Sequence, residues 1–288
     1  MSHRGAPSTA RTQVLSRAEE SIAAQLGGVR RLGVAFSGGV DSSVLAALAV
    51  RHLGPERVVA VLGVSASLAL DERAAAHEVA RVIGVRIVQL HTREIEVAAY
   101  AANGSDRCFH CKNELFTRIT DELVEAEGLD AVAYGENADD VLRPDRPGAA
   151  AATAHRVLRP LAVAGLTKAD VRAIARELRL PCADKPAAPC LASRIPHHNE
   201  VTTEKLWQVD RAERVLRELG FSDGRVRHHG DIARVELPAA ELARGATEPV
   251  RSLLVERLTG LGFRYVALDL SGIQSGAFTM DRLRADRA

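Results

Sequence analysis

At 288 residues, 47% of them hydrophobic, the chain is long enough to bury one large core or two modest ones, and two domains are expected. Its formal charge is +1, from 38 basic and 37 acidic residues, so no global field draws it to nucleic acid or to a membrane surface. No apolar stretch reaches membrane-span length and residues 1–13 lack the apolar core of a secretory signal, which predicts a cytoplasmic location.

Residues 1–12 and 281–288 are expected to be frayed. Val14, Leu15, Ala18, Ile22 and Leu26 repeat with a helical period that stops at Gly27-Gly28. The apolar run 32–36 predicts a strand, followed by Ser37-Gly-Gly-Val-Asp-Ser-Ser43 and a helix over about 42–52. Residues 58–64 read as a fully buried strand, and 71–83 as a helix with a capping acid at its start. A strand over 86–90, a helix over 112–125 and a strand over 131–134 follow. Residues 167–180 predict a helix with Thr167 as N-cap and Pro181 just beyond its end. This alternation argues for an α/β fold, a parallel sheet covered on both faces with ligand at the carboxyl ends of its strands. After about residue 185 the pattern changes: a helix over 201–219, a hairpin turning near Gly230, a helix over 249–261 and a strand over 265–270. The expected organisation is therefore a nucleotide domain over 13–185 and a smaller α+β domain over 186–288.

The segment 37–43 resembles the pyrophosphate-binding loop of the N-type ATP pyrophosphatases. A strand that passes through two glycines into a helix start leaves unpaired N–H groups pointing one way, where a polyphosphate can accept them. Gly38 and Gly39 let phosphates approach the main chain, Ser37, Ser42 and Ser43 offer hydroxyl donors, and Asp41 is an acceptor suited to Mg2+ beside the nucleotide. A Walker A loop is excluded, because its Gly-Lys-Ser/Thr slot holds Val-Asp-Ser and no lysine precedes Lys112; a dinucleotide fingerprint is excluded for want of a third glycine.

Four cysteines, Cys108, Cys111, Cys182 and Cys190, in a chain read as cytoplasmic favour metal or catalytic roles over disulfides. Cys108-Phe-His-Cys111 suits a redox dithiol, half of a zinc site or an iron–sulfur site equally, since spacing does not select the metal. Cys182, a small apolar residue after Pro181, reads as packing. Arg225 and Arg227 alternate on a strand and share a face that suits a phosphate or simply solvent. Arg194 is a candidate for steadying charge on an acyl intermediate, or for a salt bridge; Asp139 and Asp140 for orienting magnesium or nucleotide, or for an Asx turn. The pairs His197-His198 and His228-His229 are poor chelates because adjacent strand residues face opposite ways, and Trp207 reads as core.

Beyond the loop, the chain carries Arg107-Cys-Phe-His-Cys-Lys112, Gly135-Glu-Asn-Ala-Asp-Asp140, Arg146-Pro-Gly148, Lys185-Pro186 with Cys190-Leu-Ala-Ser-Arg-Ile-Pro196, and Leu268-Asp-Leu-Ser-Gly-Ile-Gln-Ser-Gly276. In that order, over about residues 15–280, these motifs resemble the LarE family of ATP-dependent sulfur transferases. The resemblance implies a Rossmann-like sheet of the HUP type (adenine nucleotide alpha hydrolase-like). It implies adenylylation by ATP of a carboxylate of a small nucleotide, pyridinium-3,5-biscarboxylic acid mononucleotide, and its conversion to a thiocarboxylate on the way to the nickel-pincer cofactor. It implies Cys108, Cys111 and Cys190 as ligands of a [4Fe-4S] cluster that carries the transferable sulfur, or Cys190 as a sacrificial sulfur donor. It further implies adenine contacts at Val64 and Ser65, a second phosphate and metal region at Arg225 and Arg227 with Glu213 and Glu236, and a homo-oligomer. Two rival readings follow from the same loop and cysteines: a tRNA thiolase with a three-cysteine cluster, disfavoured by the neutral charge, and a nucleotide-binding redox or iron sensor.

Overall fold

In the computed structural model, residues 9–142, 148–186 and 188–273 are described, the side chains of 9–12 apart. Residues 1–8, Arg146-Pro147 of the Arg-Pro-Gly motif, and 274–288, with the end of the last motif, lie outside them. The chain falls into two compact units. The first takes the residues up to Glu94 together with Cys108–Ala188; the second takes Ile95–Arg107 together with the chain from Pro189 onward. The excursion 95–107 had no signal in the periodicity, since its link to the second unit is made by hydrogen bonds far apart in sequence.

The first unit is built on β1 (Leu32–Ala35), reached from α1 (Thr9–Gln25). It continues through α2 (Val40–Leu53), β2 (Val58–Val64), α3 (Leu70–Ile83), β3 (Arg86–His91), α4 (Arg107–Arg118), β4 (Ala131–Tyr134) and α5 (Lys168–Glu177). All four strands are parallel in the order β3-β2-β1-β4, with Leu32–Ala35 in register against Val58–Val61 on one side and Ala131–Tyr134 on the other. Val58, Ala60 and Leu62 of β2 enter a core shared with α1, α2 and α5, whereas Val59 and Val61 enter a second core with Phe116, Ile119 and Leu123. Burial on both faces is why this strand is apolar at every position. The strand order reverses between β1 and β4, which opens the crevice for a ligand at their carboxyl ends. Among the described residues no helix is long and apolar enough to cross a membrane.

Local chemistry accounts for most boundaries. Thr167 and Asp170 form a full capping box at the start of α5. At α3 the capping expectation fails: Ala69 holds the N-cap position without a side-chain bond, and Asp71 lies in the first turn, where it meets the helix dipole instead. Helix α4 starts at Arg107, ahead of the expected residue 112, so both cysteines of Cys108-Phe-His-Cys111 ride on its first two turns.

The second unit comprises α6 (Thr203–Glu218), the antiparallel hairpin β5 (Arg225–His229) and β6 (Ile232–Glu236), α7 (Val250–Thr259) and β7 (Tyr265–Leu268), which pairs parallel with β6. Gly230 turns the hairpin at φ +63°. Leu216, Val226, Val235, Leu258 and Phe263 are at the centre of its core. Trp207 is not: it is 50% exposed, with the Arg211 guanidinium 5.4 Å from its ring centroid. It follows the buried Leu206 on α6 and is carried out of the apolar stripe by the helical turn.

Gly135 follows β4 and packs on the head of α2 so tightly that a Cβ there would lie 2.5 Å from the Ser42 nitrogen and 2.7 Å from the Asp41 carbonyl carbon. Both are backbone atoms that cannot step aside. Gly135→Ala is expected to cost about 1–3 kcal/mol of stability, read as a lower urea midpoint at constant slope; an unchanged midpoint would show that the tip of β4 has room to spare.

Candidate active site

The loop between β1 and α2 is closed on itself by its own serines. The Ser37 N–H donates to Ser42 Oγ at 3.2 Å, the Gly39 N–H donates to Ser37 Oγ at 3.3 Å, and the Ser42 hydroxyl donates to the Gly39 carbonyl at 3.2 Å. Gly38 has φ +71°, and a Cβ on it would come within 2.6 Å of the Ala76 Cα on α3, so the position is closed to any side chain twice over. Ser42 is buried with its hydroxyl spent on the Gly39 carbonyl, and Ser43 is buried beneath the loop beside Cys182, so of the hydroxyl donors foreseen for phosphate these two are turned inward. The main-chain N–H groups at the head of α2 remain the phosphate-facing chemistry.

Asp41, in the first turn of α2, is held at both oxygens. Asn137 Nδ2 donates to its Oδ1 at 3.0 Å and Lys168 Nζ donates to its Oδ2 at 2.5 Å. The same Asn137 amide donates to Asp140 Oδ2 at 3.0 Å, so the Asp41 and Asp140 carboxylates flank one nitrogen and form an oxygen-donor set that fits Mg2+. Asn137 also caps the single turn Ala138–Val141, the turn-forming alternative for this segment. Asp139 Oδ2 accepts the Lys168 N–H at 2.9 Å and thereby fixes the start of α5. Lys168 was not foreseen; it is 127 residues from Asp41 in sequence and belongs to no motif read above. Further along the end of β4, Lys112 Nζ lies 4.3 Å from the Tyr134 ring centroid, and the missing side chain of Gly148 leaves room for the lysine stem. Burial, and then the Glu136 carboxylate beside it, pushes the Tyr134 phenol well above its ordinary value. Glu136 is itself buried, with Arg159 3.5 Å away.

At the end of β2, the Ser65 and Ser67 hydroxyls both donate to Glu94 Oε1 at 2.5 Å. The Ser65 hydroxyl is thus committed to Glu94.

All four cysteines are free of disulfides. Cys108 and Cys111 lie one turn apart on α4, neighbours on its surface, the first exposed and the second partly so. Cys190 is exposed at the head of the turn Leu191–Arg194. Cys182 is 1% exposed, and burial pushes its thiol up, offset in part by the Ser43 hydroxyl. Within each unit, among the described residues, no three His, Cys, Asp or Glu side chains converge as a metal site. The Lys185-Pro186 segment is pinned in the first unit by Lys185 Nζ on Glu72 at 2.7 Å and by Arg172 on the Ala183 and Lys185 carbonyls at 2.8 and 3.1 Å.

In the second unit Arg194 and Arg227 are committed to buried carboxylates. Arg194, 4% exposed, forms a two-pronged pair with Glu213 at 2.8 and 3.1 Å and donates to the Pro189 carbonyl at 2.7 Å and to Ser193 Oγ at 2.8 Å. The salt-bridge alternative is therefore what Arg194 makes, and its guanidinium also holds the Cys190 turn. Arg227 is likewise paired with Glu236 at 3.0 and 2.8 Å and donates to the Ser193 carbonyl at 3.1 Å. Glu213 and Glu236 are consequently engaged by arginine. Arg225, partly exposed, bonds Asp223 and the Gly224 carbonyl. The excursion 95–107 holds the other side of the turn: the buried Asn103 donates to the Pro196 and Asn199 carbonyls at 2.7 and 3.0 Å, and Arg107 donates to the Ala192 carbonyl at 3.0 Å.

A family model described as asparagine synthase matches residues 13–143, the part of the chain that carries the phosphate loop. An uncharacterized protein of Synechocystis is 41% identical over 89% of this chain and 95% of its own length. The pyridinium-3,5-bisthiocarboxylic acid mononucleotide synthase of Lactiplantibacillus plantarum is 34% identical over 91% of this chain and 94% of its own. The chain belongs to the LarE family. An uncharacterized Methanocaldococcus jannaschii protein is 25% identical over 84% of this chain and 90% of its own. As a LarE-family member the chain is an ATP-dependent sulfur transferase with a PP-loop domain, and the parallel sheet with its loop at the carboxyl end of β1 is the fold expected of it.

Two outcomes test this site. Glu213→Ala leaves the buried Arg194 without its carboxylate and is expected to destabilise the fold by about 3–5 kcal/mol, measured by urea unfolding; a loss below 1 kcal/mol would show the pair to be solvated. Alkylation of native, iron-free protein should label Cys108 and Cys190 ahead of Cys182, which should react only after unfolding; early labelling of Cys182 in peptide mass spectra would contradict its burial.

Proposed function

We propose that this LarE-family chain uses ATP to adenylylate a carboxylate of pyridinium-3,5-biscarboxylic acid mononucleotide and converts it to the thiocarboxylate for a nickel-pincer cofactor. The observation that carries the reading is a phosphate loop at the head of α2, in a chain 34% identical along 91% of its length to a synthase of that bisthiocarboxylic mononucleotide. A carboxylate is a poor electrophile because its leaving group would be oxide. Attack by a carboxylate oxygen on the α-phosphorus of ATP breaks the bond to the β-phosphate, releases pyrophosphate and leaves AMP as a competent leaving group. A sulfur nucleophile then adds to the acyl carbon and AMP departs.

The chain's residues divide this work. The N–H groups at the head of α2 bind phosphate oxygens, where fixed dipoles need no reorganisation as charge develops. Asp41 and Asp140 would hold Mg2+, and main chain at Val64 and Ser65 would meet adenine. Cys108, Cys111 and Cys190 are the thiols we assign to a [4Fe-4S] cluster: none is sealed from solvent, unlike Cys182, and three thiolates suit such a cluster. Held by these three thiolates, the cluster would supply the sulfur nucleophile. Arg194 acts as a positioning residue for the Cys190 turn, and Arg225, the least buried of the three arginines, is the group assigned to the substrate phosphate. The setting assigned to this chemistry is the cytoplasm, in a homo-oligomer.

Anaerobically reconstituted protein given ATP, sulfide and the biscarboxylic mononucleotide is expected to release AMP and pyrophosphate and to add sulfur to the substrate over many turnovers. No AMP and no mass gain on the substrate would sink the reading. Product from iron-free protein, with Cys190 lighter by the elements of H2S, would replace the cluster-borne sulfur by the cysteine's own. Arg225→Ala is expected to raise KM for the mononucleotide by tenfold or more, about 1.5–3 kcal/mol for a charged hydrogen bond, with KM for ATP unchanged.

A further inference from the structure

We propose that a cavity of about 230 Å³ in the second unit binds phosphate, as the free anion or as the phosphoryl group of a small ester, with Lys205 as its cationic anchor. The cavity is bounded by Ile195, the loop 198–200, Lys205 on α6, and His228 and Gly230 of the hairpin. It is smaller than the roughly 300–1,000 Å³ of sites for drug-sized ligands, so it suits a compact guest and not a nucleotide. His228 alternates with Arg225 and Arg227 along β5, so its side chain faces the other side of that strand, toward α6.

Lys205 is partly buried and, among the described residues, meets no carboxylate; its Nζ donates to the Glu200 carbonyl at 2.6 Å. An ammonium carries three donors, so two remain for a guest. A partly enclosed positive charge with no counter-charge is costly, and an anion relieves it. The wall behind it adds no competing charge. Gln208 Nε2 donates to the Leu261 carbonyl at 3.0 Å, so its Oε1 is turned to His228 and accepts the Nε2 proton at 2.9 Å. Burial, and then the Lys205 charge, holds the His228 pKa below its ordinary value, so the imidazole is neutral at pH 7. The rim across from it is fixed by the buried Asn103, whose carbonyl accepts the His198 N–H at 3.1 Å and whose Nδ2 donates to the Asn199 carbonyl at 3.0 Å. These bonds hold His198 at φ +64°, a conformation a non-glycine residue keeps only where its surroundings enforce it. The His198 ring and the Asn199 amide, both exposed, add N–H donors at the mouth. Among the described residues His198, His228 and Glu200 do not converge as a metal site. Donors that arrive from a loop and from a helix match the tetrahedral oxygens of phosphate better than the two coplanar oxygens of a carboxylate.

Carbethoxylation of His198 by diethyl pyrocarbonate, followed in peptide mass spectra of the full chain, reads the cavity locally even where phosphate also occupies other sites. Inorganic phosphate and, in a separate arm, glycerol phosphate are expected to slow it at constant ionic strength. Lys205→Met is expected to raise the half-protecting concentration roughly tenfold or more, as for loss of a charge-assisted hydrogen bond, with Lys205→Arg close to wild type. Protection by inorganic phosphate alone assigns the cavity to the free anion, and protection by both assigns it to a phosphoryl group that enters from the mouth. No protection of His198, or equal protection by acetate or chloride, overturns the inference. So does a changed rate at His198 in phosphate-free Lys205→Met that Lys205→Arg does not restore, which would make Lys205 a support of the loop.

Discussion

Everything catalytic in the first unit depends on how closely backbone can approach backbone at the head of α2. Gly38 has no space for a Cβ against Ala76, and Gly135 has none against Asp41 and Ser42. These two clearances bring α3 and the tip of β4 onto the loop from either side, and they fix the direction in which the unpaired N–H groups of α2 point. Phosphate binding by main chain is only as good as the rigidity of that main chain. The serine hydroxyls therefore spend their hydrogen bonds on the loop itself: Ser42 Oγ accepts the Ser37 N–H and Ser37 Oγ accepts the Gly39 N–H, which stiffens the loop ahead of the first-turn N–H groups of α2. Asp41, fixed between Asn137 and Lys168, inherits its position from the same contact.

The second unit solves a different problem with a different interaction. The Cys190 turn is irregular backbone whose carbonyls have few partners in a ladder, and buried carbonyls must be satisfied. Arg194, Arg227, Asn103 and Arg107 supply donors to Pro189, Ser193, Pro196 and Ala192, each side chain spanning a distance that no local hydrogen bond covers. Burying two guanidiniums is costly unless each meets a carboxylate in two-pronged geometry, and Glu213 and Glu236 do so. These four charges are thus explained by the need to hold one irregular turn still, before any contact with substrate is invoked.

The sheet and its loop were legible because their signals are local. A β2 buried on both faces is apolar at every position, and Gly-Gly between a strand and a helix start has one physical reading near a polyphosphate. What escaped is what distance in sequence hides. Lys168 meets Asp41 across 127 residues, and nothing in Thr167-Lys168 beyond a helix start announces it. Residues 95–107 belong with the second unit through side-chain bonds that no periodicity encodes. Arg194 and the alternating Arg225 and Arg227 read as candidate ligand-facing charge, yet only the partners across the fold decide whether a guanidinium is spent on structure, as in Arg194 and Arg227. Trp207 failed for a simpler reason: size and apolarity favour the core, but the helical turn that places Leu206 inside takes the next residue out.

The placement of the Cys-x-x-Cys on a helix start fixes the spacing of its two thiols. A thiol pair in a loop can drift, but Cys108 and Cys111 lie one turn apart at the start of α4, so their separation is set by helix geometry. Arg107, the first residue of that helix, is tethered to the carbonyl of Ala192 and backed by Asn103, which also gathers the carbonyls of Pro196 and Asn199. Asn103 and Arg107 thus hold the turn 190–199 from within the second unit, by side-chain bonds that stand in for a ladder the irregular backbone lacks.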